Sequence, residues 1–292
     1  MFSRASAGRV HDFCESTPTN MSFSMQPLEI SSSSISIRVG TWNISAVNNN
    51  PFEYWTSHPD PAYDALMRDV QAFIENSKND VAINNIFSDA MFSELMAEME
   101  AQEFDKLQEL NSLWRCDYRN RLAITGFLKD KSIGTKRLAS MPDRITNTIN
   151  LQAGGVCMRP SVINAYDGGS LASLTSWWEQ WKHFMFHTEV QVFSESCAAQ
   201  RVCNLIPPIL RGKYPAISEA EQSISIPLQI LCLSILDAIF VHIMNSVAPH
   251  VWEGIRRGLC EDLILGKASK ICSIIETSYP DCEVLFLQEA AA

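Results

Sequence analysis

The sequence is short of basic residues and lacks the motifs that mark common nucleotide sites. Its 23 Lys and Arg are outnumbered by 33 Asp and Glu, which gives a formal net charge of -10. Because a phosphate backbone is normally held by a basic surface, this balance argues against non-specific nucleic-acid binding. Neither a G-x-x-x-x-G-K-[ST] nor a G-x-G-x-x-G stretch occurs, so a P-loop or dinucleotide-binding site has no support.

Cysteine pairs and a secretory signal are also missing. The nine cysteines are scattered and form no C-x-x-C pair, which indicates neither a disulfide framework nor a zinc site and fits a reducing compartment. The first thirty residues lack an apolar segment, and Asp12 and Glu15 argue against a transit peptide. We therefore expect an intracellular, cytoplasmic protein whose residues 1–34 are disordered.

The longest apolar run, residues 224–248, is long enough to span a bilayer. Asp237 lies near its middle, and a central Asp costs about 2.5 to 3.5 kcal/mol on insertion scales. Gln229, His242 and Asn245 add further polar groups. A core helix that is apolar on all sides explains the run better than a membrane span does, so we expect no membrane span.

The remaining pattern is one strand, a long helical part and a second strand. Apolar and polar residues alternate from Ile35 to Trp42, which predicts the first strand. Helical spacing dominates residues 60–278, interrupted at 139–149 and by glycines between 154 and 169. The final run "EVLFLQ", residues 283–288, predicts a strand covered on both faces. The fold class is thus α+β and predominantly α-helical.

Two strands so far apart in sequence must satisfy their backbone groups. They pair either with each other or with strands outside this chain, because unpaired buried backbone groups are costly. If they pair in parallel, as neighbours joined by a helical crossover do, both carboxyl ends lie at one sheet edge. The residues that end the two strands would then lie within reach of each other.

The segments "IRVGTWNIS", residues 37–45, and "CEVLFLQEA", residues 282–290, resemble the first and second core strands of the endonuclease/exonuclease/phosphatase family. That family consists of metal-dependent phosphoesterases. The resemblance implies an active-site role for Asn43, metal binding by Glu289, Mg²⁺ as cofactor and a phosphorylated substrate. The chemistry agrees, since a carboxylate suits Mg²⁺ and an amide can donate to a phosphate oxygen.

The resemblance divides the chain into four parts. Residues 35–59 hold the first strand and active-site loop, residues 60–278 form a helical insertion, and residues 279–292 hold the second strand, with residues 1–34 in front. The family's later G-D-x-N and S-D-H motifs do not occur after Glu289. We therefore expect a truncated, N-terminal part of a phosphoesterase domain that is inactive alone and binds Mg²⁺ weakly, with the insertion as lid, substrate selector or docking surface.

Several alternatives stay open at this point. The chain also fits a non-catalytic helical interaction module, and the substrate class is undecided among nucleic acid, phosphoinositide, dinucleotide and small phosphate ester. His183 and His187 stand four apart, but packing, with one of them buried, explains them better than a metal site. Phe52, Tyr54 and Trp55 either line the substrate site or anchor the loop, and anchoring is favoured.

Overall fold

The computed structural model of the chain describes residues 36–44, 50–193 and 198–290. The predicted disorder of residues 1–34 lies outside them. The α-helices are α1 (Pro61–Glu75), α2 (Asp89–Ala101), α3 (Leu107–Cys116), α4 (Lys131–Lys136), α5 (Ser140–Thr146), α6 (Leu174–Lys182), α7 (Glu219–Ser223), α8 (Ser225–Val247), α9 (Trp252–Cys260) and α10 (Lys267–Ser278). The strands are β1 (Val39–Asn43), β2 (Thr148–Asn150), β3 (Val156–Met158), β4 (Glu189–Val190), β5 (Gln200–Arg201) and β6 (Val284–Gln288). Helices dominate, as the predicted fold class requires.

The centre of the helical part is α8. Apolar residues surround this helix on all sides, and α1, α3, α5, α6 and α7 pack against it. Among the described residues it is the one helix long and apolar enough to cross a membrane, and 89% of its most apolar stretch is buried inside the fold. Such burial fits the core helix of a soluble protein.

The acidic residue in the middle of α8 is neutralised by a buried network. Asp237 accepts hydrogen bonds from Arg159 Nε (2.7 Å), Ser161 Oγ (2.7 Å) and Trp181 Nε1 (2.9 Å). Arg159 also pairs with Asp143, at 2.6 Å. Burial lowers the pKa of Arg159, but the two carboxylates outweigh burial and leave that pKa raised. The network explains how the core helix accommodates a charge.

Local sequence signals place α1 correctly and miss α5. Asp60 caps α1 by accepting from the Ala62 backbone N–H at 2.9 Å, and Pro61 occupies the first helical position. Residues 139–149 were expected to break the helical pattern, yet α5 forms there. That expectation is wrong because Pro142 lies in the first turn, where a backbone N–H has no partner within the helix.

In two stretches of residues 60–278 the helical spacing does not give a continuous α-helix. Between 118 and 130 the chain forms a 3₁₀ turn and then a π-helix (Ile124–Leu128), because the Asp80 carboxylate accepts from the Ile124 and Thr125 backbone N–H groups. Between 170 and 196 the helix ends in a second π-helix (His183–His187) and the extended strand β4 follows. The β-branched residues beyond that point favour the extended form.

Within the described residues, the strands form three two-stranded sheets. The pairs β2–β3 and β4–β5 are short and antiparallel, whereas β1 and β6 pair in parallel, with Val39 opposite Val284 and Asn43 opposite Gln288. The predicted pairing of the two distant strands is therefore present. Helices α1 to α10 all lie between the paired strands in the chain.

The prediction that the second strand is covered on both faces is wrong. Phe286 of β6 is 60% exposed and Val39 of β1 is 59% exposed. The physical reason is that, within the described part of the chain, no other helix or strand packs extensively over the faces of β1 and β6. Parallel strands are normally buried on both faces. This strand pair instead presents an apolar surface to solvent.

Candidate functional site

The candidate site lies at the carboxyl ends of β1 and β6. Asn43 ends β1, and Glu289 follows the last residue of β6. The Asn43 side-chain amide Nδ2 donates to the Glu289 carboxylate Oε1 at 3.1 Å. The backbone ladder continues past the strands, because the Ile44 N–H donates to the Gln288 carbonyl at 3.1 Å. The two residues selected from the sequence therefore lie in direct contact.

The contact depends on the backbone of Glu289. In a regular strand, successive side chains point to opposite faces, so Glu289 would point away from the face that Gln288 and Asn43 share. Glu289 instead adopts φ 54°, a left-handed conformation that is uncommon for a residue other than glycine. This turn ends the strand and brings the carboxylate to Asn43.

The strand pair is held by charge at its amino end and by one aromatic contact on a face. The Arg38 guanidinium pairs with Asp281 at 3.3 Å, and the Arg38 backbone N–H donates to the Glu283 carboxylate at 2.7 Å. That backbone hydrogen bond lowers the pKa of Glu283. On one face the Trp42 ring stacks on Tyr279, with centroids 6.2 Å apart. These contacts fix the parallel register that brings Asn43 to Glu289.

The aromatic residues after β1 anchor the loop to the helices. Phe52 is buried in the helical core, and the Trp55 indole N–H donates to Asp64 of α1 at 2.8 Å. Tyr54 is exposed, and its carbonyl accepts from the Tyr63 hydroxyl at 3.2 Å. The favoured interpretation, anchoring, is therefore what the structure shows for Phe52 and Trp55.

The donor set at the strand ends fits a weakly held magnesium ion. Mg²⁺ is usually bound through one or two carboxylates, with waters and substrate phosphates completing the octahedron. Asn43 and Glu289 are both exposed and supply one amide oxygen and one carboxylate. Across the described ranges, no group of three or more His, Cys, Asp or Glu side chains is arranged to hold a metal by itself.

The second candidate metal site, on the π-helix after α6, has the geometry of a surface pair. The rings of His183 and His187 stack with centroids 5.9 Å apart, and His187 Nε2 lies 3.0 Å from a Glu98 carboxylate oxygen. Both histidines are exposed, so the expectation of one buried histidine is wrong. The reason is that Phe184, Met185 and Phe186 take the buried positions.

One cavity was not anticipated from the sequence. It lies between α2 and α3, and its lining includes Asp89, Arg115 and Arg119. The two arginines are four residues apart in a segment otherwise rich in helix-forming residues. That spacing is the only signal of the cavity in the sequence, and surface arginines at this spacing are common on helices.

Comparison with known proteins identifies a family for the helical part. A family model described as "Domain of unknown function (DUF8234)" matches residues 80–257. Since the match covers more than half of the chain, the chain belongs to this family. The matched residues contain helices α2 to α8 and most of α9, and they include neither β1 nor β6. No curated protein and no solved structure matches the chain.

Proposed function

We propose that the ends of β1 and β6 form part of a metal-dependent phosphoesterase site, with Glu289 as metal ligand and Asn43 as phosphate-orienting residue. The observation that supports this proposal is the 3.1 Å hydrogen bond between the two side chains at the carboxyl ends of parallel strands. Ligand sites in open α/β sheets lie outside those ends. The resemblance of both strands to the endonuclease/exonuclease/phosphatase family gives the reaction class.

Each residue has a role that its chemistry allows. The Glu289 carboxylate holds the cation, and Mg²⁺, when bound, supplies charge stabilisation to a phosphoryl oxygen. The Asn43 amide is neutral and does not titrate, so it orients a phosphate oxygen by hydrogen bonding rather than transferring a proton. The residue that would activate the attacking water belongs to the family's later motifs, which do not occur in this sequence.

The exposed apolar surface of β1 and β6 supports the same proposal. A two-stranded parallel sheet exposed to water is marginally stable, and parallel sheets are found with both faces covered. Val39, Val284 and Phe286 belong to residues that share one sheet face, and all three are exposed. We propose that this strand pair is completed by further strands in the active form.

The proposal is tested by the joint binding of Mn²⁺ and a phosphate ester. With Mn²⁺ as a paramagnetic substitute, the ³¹P relaxation of bis(p-nitrophenyl) phosphate should increase in the presence of the protein. Glu289→Gln should abolish that increase, whereas Glu276→Gln, the same change at an exposed site on α10, should preserve it. We expect no hydrolysis above the Glu289→Gln level. Equal relaxation in wild type and Glu289→Gln would refute the site.

A second candidate function is a helical interaction module that retains only the two strands of an enzyme. The family match favours it, because the matched residues are helical and exclude both strands. The same experiment separates the two candidates. Metal-dependent ³¹P relaxation that requires Glu289 supports the phosphoesterase, and its absence supports the interaction module.

A further inference from the structure

The cavity between α2 and α3 has an apolar floor. The cavity measures about 480 Å³, within the range of roughly 300 to 1,000 Å³ that is typical of small-molecule sites. Phe92 and Met96 of α2 and Trp114 of α3 line it. The Phe92 and Trp114 rings stack with centroids 4.7 Å apart and an interplanar angle of 10°. Both rings are almost fully buried, so together with Met96 they form an apolar base between the two helices.

Asp89 organises one side of the cavity. Its Oδ1 accepts from the Trp114 indole N–H at 2.9 Å, and its Oδ2 pairs with the Arg119 guanidinium at 2.8 Å. Both carboxylate oxygens are thus engaged, one with each neighbour. The consequence is that the Trp114 ring and the Arg119 side chain are fixed in place before any ligand arrives.

The rim of the cavity has more hydrogen-bond donors than acceptors. Arg115 uses its Nε to donate to the Asn111 side-chain oxygen at 3.2 Å. Its two terminal nitrogens have no hydrogen-bond partner in the part of the chain that the structure describes, and neither does Arg119 Nε. A guanidinium has five N–H donors and no acceptor. The Asp89 carboxylate is shared between Trp114 and Arg119, so the rim offers fewer acceptors than donors.

The charge of the cavity lining favours an anionic ligand, which supplies hydrogen-bond acceptors. Two arginines and one aspartate make the lining net positive, although the chain as a whole has a net charge of -10. Planar guanidinium groups match the oxygens of a carboxylate or phosphate, often through two parallel hydrogen bonds. A cationic ligand would be repelled by the rim, and a purely apolar ligand would gain no hydrogen bonds from it.

We propose that this cavity binds a small amphipathic oxyanion, whose carboxylate or phosphate group lies between Arg115 and Arg119 and whose apolar body packs over the aromatic floor. All lining residues fall within the DUF8234 match and on elements other than β1 and β6. The site is therefore independent of the phosphoesterase proposal, and either can fail alone.

The test uses the indole N–H of Trp114 as the reporter. Its signal in a ¹H–¹⁵N spectrum of the full chain is assigned by its loss in Trp114→Phe. We expect 3-phenylpropionate or phenyl phosphate to shift this signal saturably, and the uncharged 3-phenylpropanamide to bind about tenfold more weakly or worse. The stronger of the two acids identifies carboxylate or phosphate as the preferred group.

Variants of the two rim arginines are compared with control variants at other exposed positions. Arg115→Gln changes an exposed residue and should weaken binding of the anionic probe by about tenfold or more, as should Arg119→Gln. Arg68→Gln, the same change at an exposed position on α1, should leave binding unchanged, and so should Glu289→Gln. The proposal is overturned if no probe shifts the signal up to about 10 mM. It is also overturned if the amide binds as well as the acids, or if Arg115→Gln and Arg119→Gln bind like Arg68→Gln.

Discussion

Removal of Asp237 should destabilise the helical part severely. Asp237→Ala takes away the acceptor of four hydrogen bonds, two from Arg159 and one each from Ser161 and Trp181. Arg159, which is fully buried, then retains Asp143 as its only carboxylate partner among the described residues. Breaking a buried ion pair by removing one partner typically costs about 3 to 5 kcal/mol, since the other charge stays buried.

The assay is urea denaturation followed by far-UV circular dichroism at pH 7. Asp237→Ala should lower the free energy of unfolding by about 3 to 5 kcal/mol, and Asp237→Asn should lower it less because the amide keeps the shape and one acceptor. Asp69→Ala, at an exposed position on α1, serves as the control and should stay within about 0.5 kcal/mol of wild type. An Asp237→Ala variant as stable as the control would refute the role of the network.

Three further predictions concern single side chains. Asn43→Asp adds a carboxylate beside Glu289 and should tighten Mn²⁺ binding by about tenfold in a calorimetric titration, and unchanged affinity would count against the site. Burial lowers the pKa of His242 from its ordinary value of 6.5, so the unfolded chain binds the proton first as pH falls. Stability should therefore decrease as pH falls from above 6.5 through the lowered pKa, and His242→Gln should flatten this dependence; identical urea profiles would contradict it. Burial raises the pKa of Cys232 to about 12, so at pH 8 a disulfide reagent should modify exposed Cys116 well before Cys232, and equal rates would contradict this.

The elements with strong local signals were predictable from sequence. The cap at Asp60 and the proline after it located the start of α1, and continuous apolarity identified α8 as a core helix. The π-helices were not predictable, because their boundaries depend on tertiary contacts such as the Asp80 carboxylate that caps Ile124. Composition shows which residues favour a helix, whereas distant partners decide where that helix ends.

The candidate site was predictable in its pairing and not in its environment. The apolar patterns of β1 and β6 indicated two strands, and the family resemblance indicated that Asn43 and Glu289 meet. The exposure of Phe286 was missed, because a continuous apolar run normally means burial on both faces. Arg159 was missed as the partner of Asp237, since nothing local links residues 78 positions apart.

Paramagnetic broadening by Mn²⁺ tests most directly whether the ends of β1 and β6 form a metal site. Substoichiometric Mn²⁺ should broaden the backbone amide signals of Asn43, Ile44, Gln288 and Glu289 before others, because the two strand ends lie side by side. Glu289→Gln should remove this broadening, and Glu276→Gln should retain it. Broadening centred instead on His183 and His187, or broadening at the strand ends that persists in Glu289→Gln, would contradict the proposed site.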